Sequence, residues 1–540
     1  MMDERLRAPV EQGGVLIRPD IHQLKQVVAE NRDILREMDF VIAGRGAREI
    51  RRDLRAKVLG LARDYTRELH PGETVPEPDA EAPLIVTGHQ PEIFHAGVWF
   101  KHHLTGRLAR AVGGVPLSLV LETDVPDLLG LRVPVRTGDD VRVRDYNYAP
   151  VSPGRTWEEH RPDGSWRVDE FVEEVTGVLP VKGGRSLFPE FGARLKEARG
   201  LARNAADLVT RARSGLEHEA GLTNLEVCAS RVCSTAEFML FVLAIAVDLE
   251  RFRNSHNEAL GLYRQAHRLR GGANPMPDLG PGEAPFWAYT RSGVRSALMV
   301  ERENDGLALV LEKEPFFVVD KRMLARMRAG EAGAFDEAAG AALARTTETG
   351  VRIRTRALTT TMLLRLFVAD VFVHGIGGTK YDSITDRIIG DFFGVTAPGF
   401  ITASATLRLP FETFPGTEEE AHRLERLMRD LQFNPDRHVA KGAGEREDAR
   451  RLIRRKQELI ALDRRNTPAG RREVFEAIRS VNGELHGLAA QEERSVREKL
   501  ARTQRETALN RILTGREYAF VLFDREGLLG FYERALATVK

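Results

Sequence analysis

The chain has few of the features that mark secreted, membrane-spanning or thiolate-metal proteins. Its 540 residues contain two cysteines, Cys228 and Cys233, which exclude a disulfide-rich scaffold and a four-thiolate zinc site. The longest apolar run, from Phe238 to Val247, is much shorter than the roughly 20 residues that cross a bilayer. Residues 1–18 are charged and lack the apolar segment of a secretion signal. We therefore expect a cytoplasmic protein with reduced thiols and no membrane association.

A large excess of charge of one sign is also missing. Lys and Arg together number 80 and Asp and Glu 79, so the formal net charge is +1. Attraction to nucleic acid depends on a basic excess that neutralises phosphates, so nucleic acid is not an expected partner. The length allows more than one domain and a large buried core. A small-molecule substrate is the expected partner.

Residues 1–80 are predicted to form a helical leader. Asp20 can cap a first helix that carries Leu24 and Val28, and a second amphipathic helix covers residues 50–69. Several prolines follow and lead into a core domain that begins near residue 81.

Residues 84–101 combine an apolar strand, backbone breakers and reactive side chains more densely than any other part of the sequence. Leu84 to Val86 predicts a strand, and apolar residues after Gly97 recur at helical spacing. Residues 116–121 predict a second strand, which completes a βαβ unit. Polar residues occupy the loop at the end of the first strand, where open parallel sheets bind ligands: His89, Gln90, Glu92 and His95.

Acidic residues follow the second predicted strand. Glu122, Asp124 and Asp127 would lie near the His89 loop if the sheet is parallel. Carboxylates there can orient an amine or bind magnesium, and they can also cap a helix. We favour ligand contact over capping for Glu122 and Asp124.

Residues 130–350 are predicted to be an insertion into the core. Asn304-Asp305-Gly306 is a strong hairpin signal between two apolar runs. The remaining patterns predict, in chain order, short antiparallel strands at 133–168, helices at 190–214, 222–252 and 254–270, and a strand at 316–319. Both cysteines fall in the second of these helices.

A second informative block runs from residue 352 to residue 409. An extended segment and a helix are followed by a buried strand at 369–373, a glycine-rich turn, a helix at 383–393 and a strand at 400–405. Glycines in such a turn permit close approach of a ligand to the backbone, and the helix would direct its positive end toward an anion. We assign Lys380 and Arg356 as ligand-binding cations. Arg352 and Arg354 are typical of a solvated strand face.

The C-terminal part changes to charged, helical sequence. Apolar residues alternate there in steps of four and three, as in a coiled-coil seam: Val474, Ile478, Val481, Leu485 and Leu488. We predict a helical hairpin, residues 445–465 packed on 471–513, that serves as a rigid arm or homodimer contact. The predicted domains are therefore the leader at 1–80, the core at 81–410, the coiled coil at 411–515, and a segment at 516–540 that returns to the core.

The histidines of the first loop can act in two ways. A free imidazole titrates near neutral pH, so His89 and His95 are candidates to position a phosphate or transfer protons, and a purely structural role is equally compatible with their spacing. His89, His95, His102 and His103 match no metal-binding motif, so no metal site is assigned.

Four motifs resemble those of the bacillithiol biosynthesis cysteine-adding enzyme family, the cysteine ligases. Ile85-Val-Thr-Gly-His-Gln-Pro91 with Gly97 and Lys101 is similar to the family's Thr-Gly-Gln-Gln loop and lysine-bearing helix. Leu119-Val-Leu-Glu-Thr-Asp124 is similar to the strand that ends in the family's acidic run. The other two motifs are Val371-Phe-Val-His-Gly-Ile-Gly-Gly378, which is similar to its glycine-rich turn, and Gln504-Arg-Glu506 with Leu509-Asn510, which resembles its end-of-coil pattern.

The resemblance implies an α/β fold with a Rossmann-like parallel-sheet core, inserted α/β segments and a C-terminal coiled coil that forms a dimer. It also implies a ligase that joins cysteine to the amine of a small sugar-linked acid, with ATP or another nucleotide and with Mg as a further candidate. The chain departs from the family at His89, where the family has glutamine, at Glu92, where glycine is usual, and at residues 379–382. Lys380 in place of an acidic group would change the ligand charge that is accepted.

These observations assign roles to thirteen residues. The catalytic candidates are His89, His95 and Lys380, and the substrate-binding candidates are Gln90, Lys101, Glu122, Asp124 and Arg356. The cofactor-binding candidates are Gly88, Gly97, Gly375, Gly377 and Gly378. Besides a ligase, two alternatives stay open: a nucleotidyltransferase-like enzyme on another small molecule, and a non-catalytic coiled-coil interaction protein.

Overall fold

A computed structural model of the chain describes residues 6–179, 186–269, 276–439, 447–463 and 468–539. These residues divide into two compact units. The first comprises residues 6–133, 144–409 and 516–539, and the second comprises residues 134–143 and 410–515. The strands, in chain order, are β1 Gly14–Arg18, β2 Val41–Ile42, β3 Arg45–Gly46, β4 Leu84–His89, β5 Val115–Val120, β6 Gly130–Thr137, β7 Asp140–Asn147, β8 Leu225–Cys228, β9 Glu283–Tyr289, β10 Ser296–Glu303, β11 Gly306–Leu311, β12 Glu314–Val319, β13 Arg352–Thr355, β14 Val371–His374 and β15 Phe400–Thr406.

Helices connect and cover these strands. The helices, in chain order, are α1 Leu24–Glu37, α2 Ala47–Leu69, α3 Ala96–Ala111, α4 Val168–Gly177, α5 Phe188–Ala198, α6 Ala205–Glu219, α7 Ala229–Val232, α8 Ala236–Val247, α9 Leu249–Ala266, α10 Lys321–Arg328, α11 Ala334–Thr349, α12 Ala357–Phe367, α13 Ile376–Ile388, α14 Glu418–Phe433, α15 Asp436–Val439, α16 Glu447–Asp463, α17 Pro468–Leu513 and α18 Arg525–Ala535. A π-helical turn, Ile389–Phe393, extends α13. None of the helices in the described ranges is both long and apolar enough to cross a membrane.

A six-stranded sheet organises the first unit. Its strand order is β1-β15-β14-β4-β5-β8, and all neighbours are parallel except β1, which pairs antiparallel with β15 at the edge. The chain moves outward from β4 through β5 to β8 and then returns to the other side of β4 with β14. The strand order therefore reverses between β4 and β14, and open parallel sheets bind ligands in the crevice outside the carboxyl ends of two such strands.

The predicted βαβ unit is confirmed. β4 and β5 pair in register from Leu84 opposite Val115 to His89 opposite Val120, and α3 connects them. Leu84 and Leu117 are fully buried in the main core cluster, which explains the apolar run of each strand. The strand predicted at 400–405 is also confirmed, because β15 pairs parallel with β14.

Two predicted helical regions contain strands. The N-terminal segment, predicted to be helical, also supplies β1, whose residues 14–18 pair with residues 406–402 of β15. The helix predicted at 222–252 is wrong at its start, because β8 forms the far edge of the parallel sheet. Cys228 ends β8 and Cys233 follows α7, so neither lies inside a long helix. A four-residue apolar segment fits helical and strand periods equally, and pairing with β5 decides the outcome.

A second, antiparallel sheet is formed mainly by the insertion. Its order is β12-β11-β10-β9-β13, and its apolar face joins the main core cluster. The predicted hairpin is confirmed, because Asn304 and Asp305 both have positive φ, 47° and 63°, and connect β10 to β11. Two successive positive φ values match the twist of antiparallel strands.

The predicted glycine-rich turn is instead the start of α13. The helix begins at Ile376, with Gly375 at its N-cap, and Thr379 donates its backbone N–H to the Gly375 carbonyl at 3.1 Å. None of Gly375, Gly377 and Gly378 has a positive φ. The glycines therefore leave the N-terminal turn without bulky side chains.

The second unit is a helical bundle. α14 and α16 both pack on α17, and the α17 seam is covered by this chain's own helices. Val481 and Leu485 are buried in that cluster. The heptad pattern is thus explained within one chain, and the homodimer stays a prediction. Of the predicted hairpin, residues 445, 446 and 464–467 lie outside the described residues.

Candidate functional site

The crevice between the carboxyl ends of β4 and β14 is the candidate site. Gly88 and His89 end β4, and Gly375, the N-cap of α13, directly follows β14. The side chain of Lys101, from α3, lies between them, because a Cβ atom on Gly375 would be 3.8 to 4.0 Å from its Cδ, Cε and Nζ atoms. A lysine and the N-terminal turn of a thirteen-residue helix therefore share one end of the sheet.

Lys101 is a buried cation that has no carboxylate partner in the part of the chain that the structure describes. Its residue exposure is 2%, and Nζ donates one hydrogen bond, to the Gly88 carbonyl at 3.1 Å. Among the described residues no carboxylate pairs with it. Burial alone lowers the pKa of Lys101 from 10.5 to about 8, and no neighbouring charge offsets this effect. A buried charge of this kind is stable only if something compensates it, and an anionic ligand would do so.

The hydrogen bond of His89 defines its tautomer. Nδ1 lies 3.1 Å from the backbone carbonyl of Gln90, so Nδ1 carries the proton and Nε2 is the basic nitrogen. Burial, together with the charge of Lys101, holds the pKa of His89 well below 6.5. At neutral pH His89 is therefore an uncharged imidazole that can accept a proton at Nε2.

His95 mainly holds neighbouring segments in place. It is the N-cap of α3, where Nδ1 accepts a hydrogen bond from Gly97 N at 3.0 Å, and Nε2 lies 3.1 Å from Glu517 Oε2. Burial lowers the pKa of His95 to about 4, although Glu517 opposes this shift. The neutral ring donates from Nε2, so it joins α3 to the segment before α18.

Gln90 and Asp124 join the ends of β4 and β5. Gln90 Nε2 donates to Asp124 Oδ2 at 2.9 Å, as expected if both strand ends face one crevice. Asp124 also accepts from Val125 N at 2.9 Å and from Arg295 at 2.7 Å. With three protein donors already on it, Asp124 positions its neighbours and has little capacity left for an amine or a magnesium ion.

An acidic cavity of about 400 Å³ opens beside His89 and His95. Glu92, Asp124, Asp127 and Glu517 line it, and Arg132 is the lining residue with a fixed positive charge. Burial, together with Asp127 and Asp124, raises the pKa of Glu92 from 4.5 to about 6. Clustered carboxylates favour a cationic guest such as an ammonium group.

Glu122 lies away from this cavity and caps α7. Its Oε2 accepts from Ala229 N at 3.0 Å and its Oε1 from Ser230 N at 2.9 Å. Burial and the nearby Glu158 raise the pKa of Glu122 to about 7. Glu122 therefore has the contacts of a helix-capping residue, although the sequence favours ligand contact.

The five candidate glycines differ in their surroundings. A Cβ on Gly97 would lie 2.5 Å from the Ala405 carbonyl, and one on Gly378 would lie 2.7 Å from His374 Nδ1, so both permit close packing. Gly88 is packed between Leu119 and Phe372. Gly375 faces Lys101, and a Cβ on Gly377 would meet nothing within 4 Å. Of the five, Gly375 and Gly377 are the two at which an added Cβ would have no contact shorter than 3.8 Å.

Two predicted cations lie elsewhere. Lys380 is exposed on the second turn of α13, and Lys101 occupies the position beside Gly375 instead. Arg356, the N-cap of α12, lines a separate, mainly apolar cavity of about 320 Å³. Gln90 and Asp124 line this apolar cavity as well as the acidic one, so the two cavities adjoin at that pair.

The predicted solvated face at Arg352 and Arg354 is wrong. Arg354 is buried and forms a two-point ion pair with Glu158, at 2.9 Å from Nε and 3.1 Å from Nη2. Arg352 pairs with Glu159. β13 pairs with β9, and this face packs against the segment around residue 158, so pairing with carboxylates replaces hydration.

Within the described residues, two clusters contain side chains with the spacing of metal ligands. The buried cluster, His102, Glu217 and Glu226, already holds a cation, because Arg213 pairs with both carboxylates. The other cluster, His70, Glu73 and His218, is partly exposed. No residue of either cluster lines the acidic or the apolar cavity.

Several residues around the crevice and the two cavities carry no local sequence signal. Arg516 donates to Ser404 Oγ and Thr406 Oγ1, near the end of β15, and Glu517 binds His95. Arg295 and Trp287 come from the insertion. Their position depends on pairings across hundreds of residues, which single-sequence periodicity does not reveal.

Comparison of the chain with known proteins finds no matching family model and no curated protein of significant similarity.

Proposed function

We propose that the chain is a nucleotide-dependent carbon-nitrogen ligase that works at the crevice between β4 and β14. The observation that carries this proposal is Lys101, a buried lysine without a carboxylate partner among the described residues, which faces the N-terminal turn of α13. A phosphate group would receive both a charge-assisted hydrogen bond from Nζ and backbone donors from the helix. ATP, or another nucleotide, is the phosphate donor that such a reaction requires.

The acidic cavity supports an amine as the second substrate. Its carboxylates attract an ammonium group, and His89, whose Nε2 carries no proton, is one of the residues that line it. Amide formation requires that the amine nitrogen lose a proton as it attacks the activated acyl carbon, and the phosphate or nucleotide leaves with the bonding electrons. His89 would accept that proton, and Lys101 would stabilise the charge on the departing group.

The strand order also supports the proposal. Numbered along the chain, the five parallel strands are arranged 3-2-1-4-5, as in the first five strands of the doubly wound nucleotide-binding fold. A Rossmann-like core and a cysteine ligase activity are what the motif resemblance adds, whereas a cytoplasmic location is proposed from the composition alone. Fold alone does not identify a reaction, so the crevice residues carry the assignment.

Nucleotide binding can be tested by thermal unfolding with and without millimolar ATP. We expect ATP to raise the melting temperature, and Lys101→Met to abolish most of that rise. Lys57→Met, on an exposed position of α2, serves as the matched control and should respond like the parent. Lys380→Ala should retain most of the rise. Absence of any nucleotide effect in the parent protein would refute the proposal.

Product analysis by mass spectrometry separates two reactions. With an amine, an acid and ATP, a ligase forms an amide whose mass equals the two substrates minus one water. Pyrophosphate release without an amide would instead assign a nucleotidyltransferase.

A further inference from the structure

The apolar cavity beside the crevice has an unusual wall. The guanidinium carbons of Arg356 and Arg295 lie 4.1 Å and 4.8 Å from the centroid of the Trp287 ring. Each is a cation–π contact, and a planar guanidinium held against a ring can also bind a carboxylate through two parallel hydrogen bonds. The rest of the wall is largely apolar and includes Phe252 and Leu279.

Arg356 is incompletely satisfied. Nη1 pairs with Glu283 Oε1 at 2.7 Å, whereas the buried Nε and Nη2 atoms have no hydrogen-bond partner among the described residues. A buried donor without an acceptor is costly, and native proteins usually provide one through a solvent molecule or a ligand. Arg295 differs, because Asp124 already accepts from it at 2.7 Å.

The cavity is also placed for the proposed reaction. It shares Gln90 and Asp124 with the acidic cavity, so the two cavities adjoin at these residues and ligands bound in them would be neighbours. Its volume of about 320 Å³ is at the lower end of the range of roughly 300–1,000 Å³ for small-molecule sites. A single acid with an apolar body would occupy it.

We propose that this cavity binds the acid substrate, and that this acid is a carboxylate with an apolar or aromatic body that stacks near Trp287 and is recognised by Arg356. The role as a substrate site rests on the ligase function proposed above, whereas binding itself needs no nucleotide. The wall predicts a preference for such an acid over cysteine, whose side chain is too small to cover the apolar surface.

The test is calorimetric titration of the full chain, without nucleotide, with 3-phenylpropanoate, 3-phenylpropanamide, acetate and L-cysteine. We expect 3-phenylpropanoate to bind at least 10-fold more tightly than the other three. Arg356→Met should weaken it at least 10-fold, and Arg356→Lys should restore part of the loss. Trp287→Phe should weaken it less than Arg356→Met does.

Arg302→Met, at an exposed position of β10, is the matched control and should bind like the parent. Melting temperatures of all variants establish whether they are folded. If Arg356→Met does not fold, the affinity of Trp287→Phe provides the second measurement. Equal binding of the amide, tighter binding of L-cysteine, or an unchanged affinity in Arg356→Met would overturn the assignment. Failure of ATP to bind would refute the ligase proposal and leave this titration unaffected.

Discussion

Replacing Lys101 by methionine should stabilise the ligand-free protein at neutral pH while it abolishes nucleotide binding. Burial lowers the pKa of Lys101 from 10.5 to about 8, and 1.36 kcal/mol corresponds to each pH unit between these values. The charged lysine therefore costs the folded state about 3 kcal/mol at pH 7. Methionine removes that cost together with one hydrogen bond to Gly88, which contributes about 1 kcal/mol. The net gain expected at pH 7 is about 2 kcal/mol.

The gain should depend on pH in a defined direction. Below pH 8 the lysine is protonated in the folded and the unfolded chain, so the full cost is present. Between pH 8 and 10.5 the unfolded chain holds a proton that the folded chain has released, so the parent becomes more stable with rising pH. The advantage of Lys101→Met should consequently disappear by about pH 10.5.

Chemical denaturation of ligand-free parent and variant at pH 7 and pH 10 measures this difference directly. The exposed Lys57→Met variant should change stability by less than about 0.5 kcal/mol at either pH. A loss of more than about 1 kcal/mol in Lys101→Met at pH 7, or a difference that does not vary with pH, would show that the lysine is a packing residue.

Three further predictions concern catalysis and stability. His89→Gln should lower the rate of amide formation about 10²- to 10⁴-fold without loss of ATP stabilisation. Because the pKa of His89 is well below 6.5, the rate of the parent protein should fall only at pH values below 6.5. A pH profile that is the same in both proteins would contradict the role of His89 as a base. Arg213→Met leaves two buried carboxylates uncompensated and should cost about 3–5 kcal/mol in denaturation experiments, so a change below 1 kcal/mol would contradict the network. Leu485→Ala should cost about 2–5 kcal/mol and raise hydrogen exchange along α17, whereas Phe475→Ala, 67% exposed, should leave exchange unchanged.

Local patterns predict those parts of the fold that depend on neighbouring residues. The βαβ unit and the hairpin at Asn304 and Asp305 follow from apolar periodicity and turn chemistry, and the structure confirms both. β8 escapes prediction because its four residues are too short to distinguish a strand from a buried helix. The sequence places the start of α13 seven residues late because glycines have low helix propensity, and tertiary packing overrides it.

The crevice is predictable only in part. The sequence places Gln90 and Asp124 at adjacent strand ends, and they are hydrogen-bonded. It also places Lys101 on a helix, where Val98, Trp99, Phe100 and Leu104 surround it in sequence and indicate burial. From the sequence, Lys380 is favoured over Lys101 as the cation beside Gly375, because Lys380 is only five residues from Gly375. Lys101 is far from Gly375 in sequence, and only the fold shows that α3 brings it to the end of β14. Arg516 and Arg295 have no signal, since tertiary pairing alone positions them.

The edge strand β1 has a consequence for how the protein is assembled during synthesis. Its residues 14–18 leave the ribosome early, yet their partner residues 402–406 follow almost 400 positions later. The crevice also forms late in synthesis, because β14 can pair with β4 only after residues 130–350 have been synthesised. Until then one side of β4 is an unpaired edge of the kind that recruits other strands. Nascent chains arrested before residue 371 should therefore depend on chaperones more than chains arrested after residue 406.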